Sequence, residues 1–328
     1  MSPIVDVVAG WGLADGVIDS VDPFEAARHL PLVAEHRLTG VAHAAMRAGD
    51  LEVDDPDRVA DAHRDAMARS LLLEDVLLDA IDVLDRARIE SRVLKGAALA
   101  HRDGDPDRRE FGDNDLLVRP DQLRPAAAAL EAAGAMRVFP PLSERWERRF
   151  AKSITLRWRQ TELDLHRTLA PGPYGLTIDG DALFADRHSI VLAGVDLATL
   201  GADHHLIHAA VHVALGDVHP RLGNVRDTAL LLSAPDLDAD RVIATVVRWG
   251  IGAPFAAGVD AAAAIGAERT GVVEWAERFS PGRRDRRLMQ SYRAREGRFR
   301  RQSLASLRVL GWRDRVAYVR AIRPSRAG

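Results

Sequence analysis

Two changes of rhythm in the apolar residues constrain this chain more than anything else in it. From Pro23 to Ala48, and again from about Asp57 to Arg86, Ala, Leu and Val recur every three or four residues, the spacing of a helix face. Near Ile89 that spacing gives way to short runs with a period of two. After about Ala198 it returns and persists nearly to the end. The order predicts helices, a small α/β unit, then helices again. No long alternation of strands and helices is present, so an α+β class is expected rather than a doubly wound parallel sheet. The divisions fall at residues 1–88 for an N-terminal helical region, 89–197 for the α/β core and 198–328 for a C-terminal helical domain. With 328 residues, 47% of them hydrophobic, the chain can bury one large core or two moderate ones.

Local signals fill in this outline. Asp22 and Pro23 suit a helix cap and first turn. Ala68 to Leu84 is apolar on more than one face, as a helix buried between layers would be. Ser91 to Lys95 reads as a strand broken by Gly96, and Asp113 to Val118 as a second. Arg119-Pro120-Asp121 then opens a helix that should end at Gly134. Ser153 to Arg159 and Thr161 to His166 alternate with period two, a hairpin turning near Gln160.

The chemistry concentrates in acidic residues on these strands. Residues two apart in a strand share a face, so Asp113 and Asp115 present their carboxylates together while Asn114 points away. Like charges this close repel unless a cation lies between them. A hard divalent ion such as Mg²⁺, which takes carboxylate and phosphate oxygens, relieves that. Asp164, between Leu163 and Leu165, faces opposite to them and is placed to be a third ligand. Three such carboxylates can hold two ions about 3.5–4 Å apart, one serving the attacking oxygen and the other the triphosphate. Against this stands the commoner role of an Asp-x-Asp pair as a solvated turn.

His204, His208 and His212 share one helix face through their spacing of four. They either pack, reach substrate, or join a carboxylate as Zn²⁺ ligands, which would make the protein a His-centred metal phosphohydrolase. No His-Glu-x-x-His zinc signature supports the last choice. His166 caps its strand, bonds within the core or contacts substrate. Arg283 to Arg326 is strongly basic, and Leu304, Leu307, Leu310, Val316 and Val319 are expected to form its buried face.

Taken in order, Val93-Leu-Lys-Gly-Ala-Ala-Leu99, Arg109-Glu-Phe-Gly-Asp-Asn-Asp-Leu-Leu-Val-Arg-Pro120 and Glu162-Leu-Asp-Leu-His166 resemble the uncharacterised nucleotidyltransferase family of the DNA polymerase β-like superfamily. The histidine stretch, with Arg226-Asp227, and the end from Trp312 to Pro324 are similar too, so the resemblance covers about residues 60–328. It implies a nucleotidyltransferase core, a small mixed sheet flanked by N-terminal and C-terminal helical regions. It also implies transfer of NMP from an NTP, with ATP among the substrates such proteins bind. Asp113, Asp115 and Asp164 would be catalytic metal ligands. Gly96 would let the backbone approach the triphosphate, with Lys95 and Arg109 touching phosphate. Ala97 stands where the superfamily usually has Gly or Ser. The missing hydroxyl supports a rival reading, a nucleotide-binding protein without turnover.

Composition narrows the partners. A net charge of −3 gives no general reason to expect DNA or an anionic membrane. The chain has no cysteine, which excludes thiolate metal sites and suits a reducing cytoplasm. Its start lacks the basic and apolar regions of a signal peptide. The acceptor is left open among a small molecule, a protein and the 3′ end of an RNA.

Overall fold

The computed structural model describes residues 3–16, 23–102, 106–185, 188–216, 218–292 and 298–322. Seven strands form one mixed sheet: β1 Ser91–Leu94, β2 Asn114–Val118, β3 Met136–Arg137, β4 Ser153–Trp158, β5 Thr161–His166, β6 His188–Leu192 and β7 Val195–Thr199. Their order is β3-β4-β5-β2-β1-β7-β6. Helices precede, interrupt and follow the sheet, and the fold is α+β.

β1 and β2 are antiparallel, whereas β2 and β5 are parallel neighbours. The expected hairpin joins β4 to β5 through Arg159 and Gln160, with φ of 46° and 66°. Two left-handed residues make the tight turn whose twist matches that of the strands. A second hairpin, β6 to β7, turns at Ala193 and Gly194 (φ 49° and 81°) and was not expected. Its period is masked in the sequence because Val191 and Val195 are exposed while Ile190, Leu192 and Leu197 are buried, so both faces read as apolar.

Period two divides the inner strands between two cores. Leu116, Val118, Ile154, Leu156, Leu163 and Leu165 pack on the helices Pro56–Arg86 and Leu123–Ala132. Leu94, Leu117 and Leu169 join a second core, which the helices after residue 200 share with residues 4–59. Polar groups of β2, β4 and β5 occupy that second face.

The long helix begins as its sequence indicates, with Asp55 Oδ1 accepting from Arg58 N at 3.1 Å and Pro56 in the first turn. Asp22, the suggested earlier cap, lies outside the described residues. The Pro23–Ala48 stretch forms two helices, Ala26–Glu35 and Thr39–Ala48, because Arg37 turns the chain with a left-handed φ of 58°. Ala68 to Leu84 is not buried all round: Leu71 is 65% exposed, and the covered stripe runs through Leu73, Val76, Leu77, Ala80 and Leu84. In the C-terminal helices Leu304, Val316 and Val319 are exposed, contrary to expectation. Tyr318 and Ala321 are buried instead, with Leu310, against Trp146 and Phe150. Aromatic docking sites on another element outweighed the periodicity of the helix itself. Among the described residues no helix is long and apolar enough to cross a membrane.

Candidate active site

The second face of the sheet looks onto the helix Ala202–Leu215 and carries the acidic groups. Parallel pairing sets Asp115 beside Asp164, and antiparallel pairing sets Thr155 opposite Asp164. One ligand atom each from Asp115, Asp164 and His166 lie within 4.8 Å of one another. No other three His, Asp or Glu side chains gather this closely among the described residues.

Asp115 is only 3% exposed. Its Oδ1 accepts a hydrogen bond from His166 Nε2 at 2.5 Å, and its Oδ2 meets Lys95 Nζ at 3.0 Å. A carboxylate can only accept, so His166 carries a proton on Nε2. Burial opposes the charge of Asp115, but Lys95 and His166 outweigh it and hold the carboxyl well below the usual carboxylate range. Burial likewise opposes the charge of Lys95, and Asp115, Asp113 and Asp164 together keep its ammonium above its ordinary value. Lys95 reaches this place through two successive left-handed residues at the end of β1, itself at φ 42° and Gly96 at φ 26°. A non-glycine residue in that region is held there by its surroundings.

Asp164 is the more open carboxylate. Its Oδ1 accepts from Thr155 Oγ1 at 2.5 Å, while Oδ2 lies 3.9 Å from His166 Nε2, beyond hydrogen-bond range. Asp113 differs from both. β2 begins one residue after it, so Asp113 sits in the preceding turn, partly exposed, with Arg37 3.6 Å away. It stands outside the close group, although its charge still acts on Lys95. Asn114 points to the opposite face as expected and donates to the Leu73 carbonyl at 2.8 Å, tying the strand to the long helix.

The remaining expected contacts lie elsewhere. Arg109 forms a two-pronged pair with Asp227 (2.7 and 2.5 Å) and donates to the Gly96 carbonyl at 2.9 Å. A side chain at Gly96 would make only ordinary contact with the Phe111 ring at 3.4 Å, so what favours glycine there is its left-handed φ of 26°. Ala97 is packed in the sheet core.

The histidine stripe divides. His204 stacks on Trp249 at 5.6 Å, whereas His208 lies 6.2 Å from His166 and 6.3 Å from His212, ring centre to ring centre. No carboxylate joins the stripe to make a three-ligand set among the described residues. His208 is completely buried, with neither ring nitrogen hydrogen-bonded among the described residues. Burial and the nearby Lys95 hold it neutral, far below its ordinary proton affinity. For His212 the repulsion of Lys95 comes first and burial second. His205, at the back of the helix, belongs to the fold: Thr199 donates to the Val93 carbonyl at 2.7 Å, so His205 Nε2 donates to the Thr199 hydroxyl at 2.9 Å.

Sequence reasoning missed Thr155, Arg37 and Lys152. For Lys152 a signal was present. Of the 45 basic Lys and Arg side chains only Lys95 and Lys152 are lysines, and both stand at this face. Burial and the repulsion of Lys95 lower the proton affinity of Lys152, partly offset by Asp115, Asp164 and Asp113.

The sequence model of a family described as uncharacterised nucleotidyltransferases matches residues 22–266. The chain belongs to this family. The matched stretch holds every strand, the acidic face and the histidine helix. It starts ahead of residue 60, where the motif resemblance began, and stops short of Trp312 to Pro324. No curated protein matches the chain. A crystal structure of an antigenic nucleotidyltransferase-like protein from Paracoccidioides brasiliensis is similar over 62% of this chain and 96% of that one, at 15% identity and a TM-score of 0.32.

Proposed function

We propose that this member of the nucleotidyltransferase family transfers NMP from an NTP to an acceptor and releases pyrophosphate, with two Mg²⁺ ions held by Asp113, Asp115 and Asp164. The observation that carries this is Asp115 and Asp164 side by side on parallel strands, with a largely covered ammonium, Lys95, against them. The donor set fits a hard dication: the carboxylate oxygens keep lone pairs beyond their present bonds, and they crowd negative charge that a cation relieves. When bound, Mg²⁺ supplies neutralisation of phosphate charge and a more acidic acceptor oxygen.

The chain's own groups do the rest. His166 donates to Asp115 Oδ1 and fixes that carboxylate's orientation, as Thr155 does for Asp164 Oδ1. Asp164 Oδ2 is left to accept the proton of the acceptor's hydroxyl or phosphate as its oxygen bonds to the α-phosphorus. The bond to pyrophosphate breaks in the same exchange. Lys95 has N–H donors beyond the one facing Asp115, and these serve the phosphate oxygens. Arg109 steadies the Lys95–Gly96 turn through the Gly96 carbonyl. The acceptor is a small molecule, a protein or an RNA end, and the reaction is expected in the cytoplasm.

The test is incubation with each α-labelled NTP and Mg²⁺, following label transfer and pyrophosphate release in wild type and in Asp115→Asn/Asp164→Asn. Transfer that survives in the double variant removes these residues from the mechanism.

A further inference from the structure

We infer that Lys152 and the groove it heads form a nucleotide subsite on the β4 side of the acidic face, Lys152 taking phosphate and the groove taking the organic body. This deepens the transferase reading and rests on it. Lys95 is matched by Asp115, but Lys152 has no ion pair or hydrogen bond to its ammonium among the described residues. An ammonium with three protons to give, held among carboxylates and a second lysine, suits an anion that also carries the bound cation.

Lys152 lines two adjoining cavities, a groove of about 380 Å³ and a pocket of about 190 Å³. The groove reaches Thr155, whose hydroxyl is bonded to Asp164, so a single side chain separates it from that carboxylate. Its apolar walls include Trp146, Phe150 and Tyr318, whose rings lie 4.8–5.6 Å apart, and Phe139, 68% exposed at the rim. Arg137 and Glu147 also line the groove but are paired with each other, which leaves Lys152 as its unpaired cation among the described residues. An aromatic wall beside such a cation is the pattern of a site for a flat organic group bearing phosphate. The smaller pocket adds His212, whose Nδ1 is buried without a hydrogen-bond partner among the described residues. A side chain on Gly216 would come within 2.8 Å of the His212 ring, so that ring's place depends on the glycine.

The opposite flank has a cavity of about 420 Å³ lined by several arginines. All four are already committed: Arg109 to Asp227 and Gly96, Arg226 to the carbonyls of Ala9 and Trp11, Arg37 to Asp113, and Arg108 over the Trp11 ring. The uncommitted charge therefore lies on the β4 side.

Calorimetric titration of the full chain with inorganic tripolyphosphate and with each NTP, in EDTA and in Mg²⁺, tests this. Lys152→Met should weaken tripolyphosphate and the bound NTP in EDTA by about tenfold or more, the worth of a charged hydrogen bond. Lys152→Arg should recover much of that affinity, which separates lost charge from lost fold. Phe139→Ala should weaken the NTP and leave tripolyphosphate unchanged. Equal tripolyphosphate affinity in wild type and folded Lys152→Met overturns the subsite. Tripolyphosphate binding that needs Lys152 but that no NTP displaces overturns the nucleotide assignment and gives the phosphate to the acceptor. If Asp115→Asn abolishes transfer while Lys152→Met leaves affinity intact, the subsite fails and the transferase reading stands. Lys152-dependent NTP binding with no transfer to any acceptor does the reverse.

Discussion

The acidic face and the arginine flank meet at the Lys95–Gly96 turn and treat charge in opposite ways. On the flank charges find partners: Arg109 with Asp227, Arg37 with Asp113, and Glu110 with the Gly40 amide. On the acidic face two carboxylates and two lysines crowd together, His208 keeps both nitrogens unbonded and Lys152 has no pair among the described residues. A satisfied network holds a shape, whereas unsatisfied buried groups cost stability and persist where a ligand completes them. The flank is the frame that seats the loop before β2; the acidic face is where the proposed transfer is placed.

The strongest way to break this contrast is to exchange damage between the regions. Asp115→Asn should lower transfer roughly a thousandfold, as removal of a preorganised charge at the reacting centre does. It also leaves Lys95 buried without its partner, at a cost of about 3–5 kcal/mol in denaturant unfolding. Lys95→Met with Asp115→Asn should regain much of that stability and none of the activity. Asp227→Ala should show the converse: about 3 kcal/mol lost in unfolding as Arg109 is stranded, with kcat/KM of the folded protein falling far less than in Asp115→Asn. If both variants lose activity equally at full stability, the flank is catalytic after all and the contrast fails.

Acid sharpens it further. Burial pushes His205 down to about 3, so the folded protein keeps it neutral while the unfolded chain takes up a proton near the ordinary value of 6.5. Its share of stability is complete above that value and is lost as the pH falls toward about 3, at about 1.4 kcal/mol per pH unit. His208 and His212 act in the same direction. Unfolding free energies between pH 7 and 5 should therefore decline before the depressed Asp115 carboxyl is reached, and His205→Gln should flatten the slope. The smallest effect is expected at Asn114, whose amide serves packing alone. Asn114→Leu should change stability by about 1 kcal/mol and leave transfer untouched. A large loss of activity there would place the packed side of β2 in the mechanism.

Much of the site was legible because strand parity is a local property. Leu163 and Leu165 declare one face and Asp164 the other, and the structure keeps that division. Asp113 lies beyond the reach of parity, which holds only inside a strand, because β2 starts at Asn114. Arg109 looked like a phosphate contact as long as Asp227, 118 residues away, was out of view. Lys152 carried a compositional signal but no motif, and its place beside Asp115 depends on β4, β5 and β2 lying together.

By itself the sequence determined the alternation of helix and strand, the α+β class and the acidic residues set between apolar ones, because periodicity and turn chemistry act over a few neighbouring residues. Only the tertiary structure decided which charges meet. It paired Asp115 with Asp164, spent Arg109 on Asp227 and left Lys152 facing a groove, since those contacts arise from strand order and from helices closing over one face of the sheet.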